Sequence, residues 1–146
     1  SPLQHRAPGM VGAIFDHPAV MSSIVPDGYH VDFAAIRIAK NSMKERLFFS
    51  TDAVTETNKS GYAHHLEGDK YESNGILSGS ALTMAGSLRN LVNKVGVELA
   101  EALRMVSTYP AQVMNKADCM GRIEKGYEAN LVMLDGSLEV KELIGN

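Results

Sequence analysis

Asp52 follows an apolar run, Leu47-Phe48-Phe49, with only Ser50 and Thr51 between. A carboxylate at the C-terminal end of an apolar strand is where α/β folds place working residues, because strand ends open into the ligand crevice. The same position also suits a side chain that caps the following turn, and the residue alone does not choose between base and cap. The stretch Pro26-Asp27-Gly28-Tyr29-His30-Val31-Asp32 carries a second group of candidates. A histidine beside a strand end can bind a phosphate, orient a carbonyl, ligate a metal or simply pack. Arg6, next to His5 and a Pro-Gly turn, has the planar fork that grips an anion with two hydrogen bonds, although most arginines are solvated. The stretch 75–84, "GILSGSALTM", reads as a Gly/Ser-rich turn entering a helix, whose backbone N–H groups could hold an anion or sugar hydroxyls. His64 and His65 are adjacent, so they point different ways and read as loop residues, not a metal pair. Cys119, in "KADCMGR", reads as incidental. No His-x-His, His-Glu-x-x-His, cysteine pair, Gly-x-Ser-x-Gly, P-loop or dinucleotide fingerprint occurs, so spacing alone assembles no metal site.

These residues need elements to position them. Residues 1–12 are broken by Pro2, Pro8, Gly9 and Gly12, and 11–18 reads as a short helix ended by Pro18. Residues 20–32 read as a short strand entering the Pro-Asp-Gly turn. Asp32 then suits the N-cap of a helix over 32–42, with Phe33, Ile36 and Ala39 on its apolar face. The run around Leu47–Phe49 is continuously apolar, which suits a parallel strand covered on both faces. Residues 55–76 are polar, with hairpin character around "EGDKYESNG". A helix is expected over 79–96, with Met84, Leu88, Leu91, Val92 and Val95 at helical spacing and Gly96 as its stop. Another should begin at Glu98, with Leu99, Ala102, Leu103 and Val106 inward and a break at Pro110. The tail gives two β-segments, 130–135 and 138–144, joined by Asp135-Gly136. Strand and helix alternate as in an α/β parallel sheet, yet two parallel strands do not make a buried sheet or close a barrel. The chain reads as the last part of a larger α/β fold.

Composition narrows the class. The chain has 146 residues, 45% hydrophobic and 21% charged, which suits one soluble, globular domain with a core. A net charge of −3 without a basic stripe argues against nucleic acid. No apolar run approaches the roughly 18 residues of a membrane span. A single cysteine excludes an internal disulfide and fits a reducing cytoplasm.

Seven segments, "HRAPGMVGAIFD", "VPDGYHVDFAAIRIAK", "LFFSTDA", "LSGSALTM", "LRNLV", "EALRMVSTYPA" and "GRIEKGYEANLVMLD", follow one another in an order and spacing that resembles the N-acetylglucosamine-6-phosphate deacetylases of the amidohydrolase superfamily. The resemblance covers residues 3–144. The last two segments are shared by many amidohydrolases; the Asp-Gly-x-His-Val-Asp, Ser-Thr-Asp-Ala and Leu-Ser-Gly-Ser-Ala-Leu-Thr-Met elements are more specific. It implies a metal-dependent (β/α)₈ TIM-type barrel with a small β-domain. Residues 1–119 would belong to the C-terminal part of the barrel, and 120–146 to the β-domain.

Asp52 matches the family's catalytic aspartate, which takes a proton from a metal-activated water as it attacks the acetamide carbonyl, then passes a proton to the departing amine. Arg6 and His30 match substrate contacts, most naturally at the 6-phosphate. Asp27, Gly28 and Tyr29 share that substrate-binding turn, and Leu77, Ser78 and Gly79 match a substrate-contacting loop. The divalent metal, zinc in expectation, would be ligated by residues upstream, with no metal ligand assigned here. The chain alone is therefore expected to be inactive. The resemblance further implies a cytoplasmic homodimer that acts on a phosphorylated amino sugar, with no nucleic acid or membrane partner. Two other readings stand beside it: a different amidohydrolase that opens a cyclic amide, and a non-catalytic remnant serving as a structural module.

Overall fold

A computed structural model describes residues 2–57 and 63–145. Helix α1 (Gly9–Asp16) leads to strand β1 (Ser22–Ile24), helix α2 (Phe33–Met43) and, through a 3₁₀ turn over Lys44–Arg46, strand β2 (Leu47–Phe49). Strands β3 (His65–Glu67), β4 (Lys70–Ser73) and β5 (Ile76–Ser80) follow. Helices α3 (Met84–Asn90), α4 (Leu99–Val106) and α5 (Thr108–Val113) come next, then strands β6 (Leu131–Leu134) and β7 (Val140–Ile144). The strands form a parallel pair β1–β2, an antiparallel sheet β3–β4–β5 and an antiparallel pair β6–β7. The expected α/β character is observed.

β1 and β2 pair in parallel from Ser22↔Leu47 to Ile24↔Phe49. Leu47 and Phe49 are buried. α2 covers this pair because Asp32 caps it, accepting from the Ala34 N–H at 2.7 Å, and because Ile36, Ala39 and Met43 recur at helical spacing and are buried. Leu88, Leu91, Val95, Ala102, Met105 and Tyr109 complete the same core from the following helices. Arg46 ties α1 to the start of β2, donating to the carbonyls of Ile14, Phe15 and Val20 at 3.1, 3.1 and 2.8 Å. It is a cation placed on the open carbonyls of a helix C-terminus.

Several boundaries differ from the sequence pattern. Residues 76–80, expected as a turn, are strand β5, because their backbone pairs with β4 from Ser73↔Ile76 to Lys70↔Ser80. The hairpin around residues 67–75 is thus part of a three-stranded sheet; residues 58–62 of that polar stretch lie outside the described residues. The helix expected from residue 79 starts at Met84, where the Thr83 hydroxyl accepts from the Gly86 N–H at 3.0 Å, and Met84 is exposed. It closes through a π-helical turn, Leu91–Val95, and Gly96 at φ 83° ends it as expected. The break in the next helix falls at Ser107, and Pro110 sits in the first turn of α5, where its missing N–H costs nothing. Met105 is fully buried on α4, whereas Leu99 and Leu103 are exposed, so the inward face is rotated from the expected one. β6 and β7 match the expected hairpin, which is pinned by Arg89 donating to the Leu138 carbonyl at 3.2 Å and pairing with Glu139 at 2.8 Å.

Polar groups hold α4 against α2. Glu101 pairs with Lys40 and accepts from Arg104 at 2.7 Å, while the Tyr109 hydroxyl donates to both its oxygens at 3.0 Å. Burial works against the Glu101 charge, but the bonds from Lys40, Arg104 and Tyr109 outweigh it and hold the carboxyl below its ordinary value. Burial, then the bond to Glu101, pushes the Tyr109 hydroxyl up. Because Glu101 has a lower value folded than unfolded, its stabilisation is present above the ordinary glutamate value of about 4.3. It is lost as pH falls through the depressed folded value. Denaturant titrations should therefore show stability dropping across that acid window. Glu101→Gln should flatten the drop and lower stability at neutral pH by about 1.5–3 kcal/mol.

Candidate active site

Because β1 and β2 run parallel, both leave the pair at the same edge, and the turns that follow them meet. After β1 the chain enters the turn at Pro26. The Asp27 carboxylate organises it: Oδ1 accepts the N–H groups of Tyr29 at 2.9 Å and His30 at 2.8 Å, and Oδ2 lies 2.6 Å from His30 Nδ1. The Asp27 side chain is 2% exposed. Gly28 sits at φ +81°, and a Cβ there would lie 2.9 Å from the Phe33 ring, so this position admits only glycine without strain. From the opposite side Asn90 donates to the Pro26 carbonyl at 2.8 Å.

After β2, Ser50 donates to the Ile24 carbonyl at 3.1 Å, extending the parallel pairing, and the chain then reverses at Asp52. Asp52 has φ 50°, a left-handed conformation that aspartate tolerates better than most residues. Its carbonyl accepts from the Ser80 N–H at 2.9 Å, and the Val54 N–H donates to the Ser80 carbonyl at 3.2 Å. The strained residue is thus clamped to the end of β5. Its side chain is 58% exposed, with Oδ2 3.2 Å from His30 Nε2.

The outcome is a line of carboxylate, imidazole and carboxylate: Asp27, His30, Asp52. One end is buried and fully engaged; the other is open to solvent. Burial disfavours the Asp27 charge, but the His30 ring, the His30 N–H and the Tyr29 N–H together hold its carboxyl below the ordinary value. Such a line can hold a carboxylate steady beside an incoming ligand and take up a proton at the exposed end.

The remaining residues picked from sequence lie around it. Tyr29 is exposed, with Lys70 Nζ 5.5 Å from its ring centre. Gly79 is buried, and a Cβ there would meet Val54 Cγ2 at 2.6 Å. Ser78 Oγ is 2.9 Å from His64 Nδ1, and Leu77 is half-buried in the same strand. Arg6 is exposed and joined to the line by no hydrogen bond or ion pair among the described residues. His64 bridges to Thr57 and His65 opens β3. Among the described residues no group of three or more His, Cys, Asp or Glu side chains could by itself hold a metal. Sequence reasoning did not single out Ser80, which clamps Asp52 through backbone atoms alone. Nor did it find Asn90, whose partner is 64 residues away; neither leaves a local signal. No helix among the described residues is long and apolar enough to cross a membrane.

The amidohydrolase family matches residues 21–145. A relative from Escherichia coli (strain K12), provisionally named an N-acetylgalactosamine-6-phosphate deacetylase, is 32% identical over 97% of this chain and 89% of its own length. The N-acetylglucosamine-6-phosphate deacetylase of Haemophilus influenzae is 33% identical over 92% of this chain, but the match spans only 38% of that protein. The crystal structure of N-acetylglucosamine-6-phosphate deacetylase from Pasteurella multocida superposes with a TM-score of 0.88 at 34% identity, covering 94% of this chain and 38% of that one. Matched over most of its length and to relatives above 30% identity, the chain belongs to the amidohydrolase family.

Proposed function

We propose that this chain supplies the general base and part of the substrate pocket of an enzyme that hydrolyses the acetamide of N-acetylglucosamine 6-phosphate, releasing acetate and glucosamine 6-phosphate. The observation that carries the reading is Asp52 itself. It is an exposed carboxylate at the end of a parallel strand, held in a left-handed backbone conformation and braced by His30 at 3.2 Å. Asp52 would take the proton of the attacking water and return one to the amine as the C–N bond breaks. The divalent ion, zinc on this reading, lies outside what these residues can ligate by themselves.

Both ring nitrogens of His30 face carboxylates, which repel a phosphate. We therefore assign the 6-phosphate to Arg6, with His30 at the reacting end. Gly28, Tyr29, Leu77, Ser78 and Gly79 would line the sugar. On the same reading residues 1–119 belong to a (β/α)₈ barrel and 120–146 to a small β-domain of a cytoplasmic homodimer. A second reading, the C4-epimeric N-acetylgalactosamine 6-phosphate, is favoured by the name of the Escherichia coli relative.

In the native protein that contains this chain, Asp52→Asn should lower kcat for acetate release about 10²- to 10⁴-fold, with KM little changed. Full activity in that variant would sink the reading. Arg6→Ala should raise KM for the 6-phosphorylated sugar about 10- to 100-fold, as expected for loss of a charged hydrogen bond. It should leave the unphosphorylated sugar unaffected. Running both epimers side by side distinguishes the two substrates.

A further inference from the structure

The structure assigns a positioning role to Asp27: it fixes the His30 ring so that Nδ1 carries a proton and Nε2 is aimed at Asp52. This deepens the reading of Asp52 as the base and rests on it.

The case is geometric. Asp27 is aligned with the sugar-contacting turn in sequence, but its carboxylate is turned inward, 2% exposed, and occupied by the ring and two N–H groups. It has no free edge for a ligand. What it touches is His30, whose main chain and side chain it grips together: the N–H at 2.8 Å and Nδ1 at 2.6 Å. A carboxylate that already accepts two backbone N–H groups stays ionised, so the ring nitrogen facing it must be the donor. That leaves Nε2 opposite Asp52 Oδ2 at 3.2 Å. Two atoms that offer only lone pairs repel at that distance; the approach is favourable only when a proton resides on one of them. With Asp52 ionised, as a base must be, Nε2 is the atom that donates across that gap, so the ring bridges the two carboxylates. Oδ2 is committed to that contact, and the other Asp52 oxygen is left to meet the water. Asp27 thus selects which face of the base works while touching neither water nor substrate. The turn that holds it is itself held by Gly28 at φ +81° and by Asn90 on the Pro26 carbonyl.

Asp27→Asn tests this without dismantling the turn, since the amide oxygen can still accept from both N–H groups while its NH₂ faces Nδ1. The His30 imidazole nitrogens are followed by NMR in the native protein, assigned by the signal missing in His30→Gln, alongside steady-state kinetics. In the unsubstituted protein Nδ1 should carry a proton. In Asp27→Asn the ring should be protonated at Nε2 alone, with kcat lowered about 10- to 100-fold and KM within about twofold. A ring that keeps Nδ1–H in Asp27→Asn with kcat unchanged, while Asp52→Asn is inactive, overturns the inference and leaves the base in place. If Asp52→Asn keeps full rate, the base reading fails, and the ring spectra alone decide the role of Asp27. Should Asp27→Asn not fold, the unsubstituted spectrum still decides: a ring without a proton on Nδ1 there overturns the proposal.

Discussion

Two strands that run parallel deliver their ends to one edge, and the line of Asp27, His30 and Asp52 follows from that. β1 and β2 make only three residue pairs. Yet because they share a direction, the turn bearing Asp27 and His30 opens beside the turn bearing Asp52. An antiparallel pair would have sent those turns to opposite ends of the sheet. So short a pair is marginal in water and has to be covered. α2 does this with Ile36, Ala39 and Met43, and α4 and α5 with Ala102, Met105 and Tyr109.

Burying helices against a strand pair also buries polar groups, and three of these are satisfied in ways that fix geometry. Glu101 is answered by Lys40, Arg104 and Tyr109, which sets α4 relative to α2. Arg46 reads three carbonyls at the end of α1 and before β1, so the N-terminal helix cannot drift from β2. Asn90 reaches from the end of α3 to the Pro26 carbonyl, so the turn bearing Asp27 and His30 is referenced to the helical layer as well as to its own strand. The Ser87 hydroxyl is the exception: it is buried with no hydrogen-bond partner among the described residues.

The sequence pattern was most legible where local chemistry decides the outcome. Asp32 as a cap, Gly96 as a stop, the apolar 47–49 strand and the Asp135-Gly136 hairpin all rest on short-range preferences, and the structure has each of them. It was least legible where partners are distant. Residues 76–80 look like a glycine-serine turn until β4 supplies a ladder for them. The inward face of α4 is set by what α2 and β2 present, which is why Met105 goes in and Leu103 does not. Residue type and position singled out Asp52, His30 and Asp27 but gave no sign that they stand in one line. The Asp27–His30 contact is local, spanning three residues, whereas the approach of His30 to Asp52 depends on the strand pairing.

The clamp between Asp52 and Ser80 ties the β3–β4–β5 sheet to the turn that carries Asp52. Ser80 meets residues 52 and 54 through backbone atoms, and Gly79 abuts Val54 with no room for a side chain. The Asp52 backbone and the end of β5 are therefore joined by main-chain bonds and close packing rather than by flexible side chains. The same sheet carries the exposed hairpin around Gly68 and Asp69 at its other end. That hairpin meets the turn bearing Asp27 and His30 through Lys70 over Tyr29. The turn bearing Asp52 and the turn bearing Asp27 and His30 are thus both held to one sheet, the first by backbone hydrogen bonds and the second by a cation over a ring.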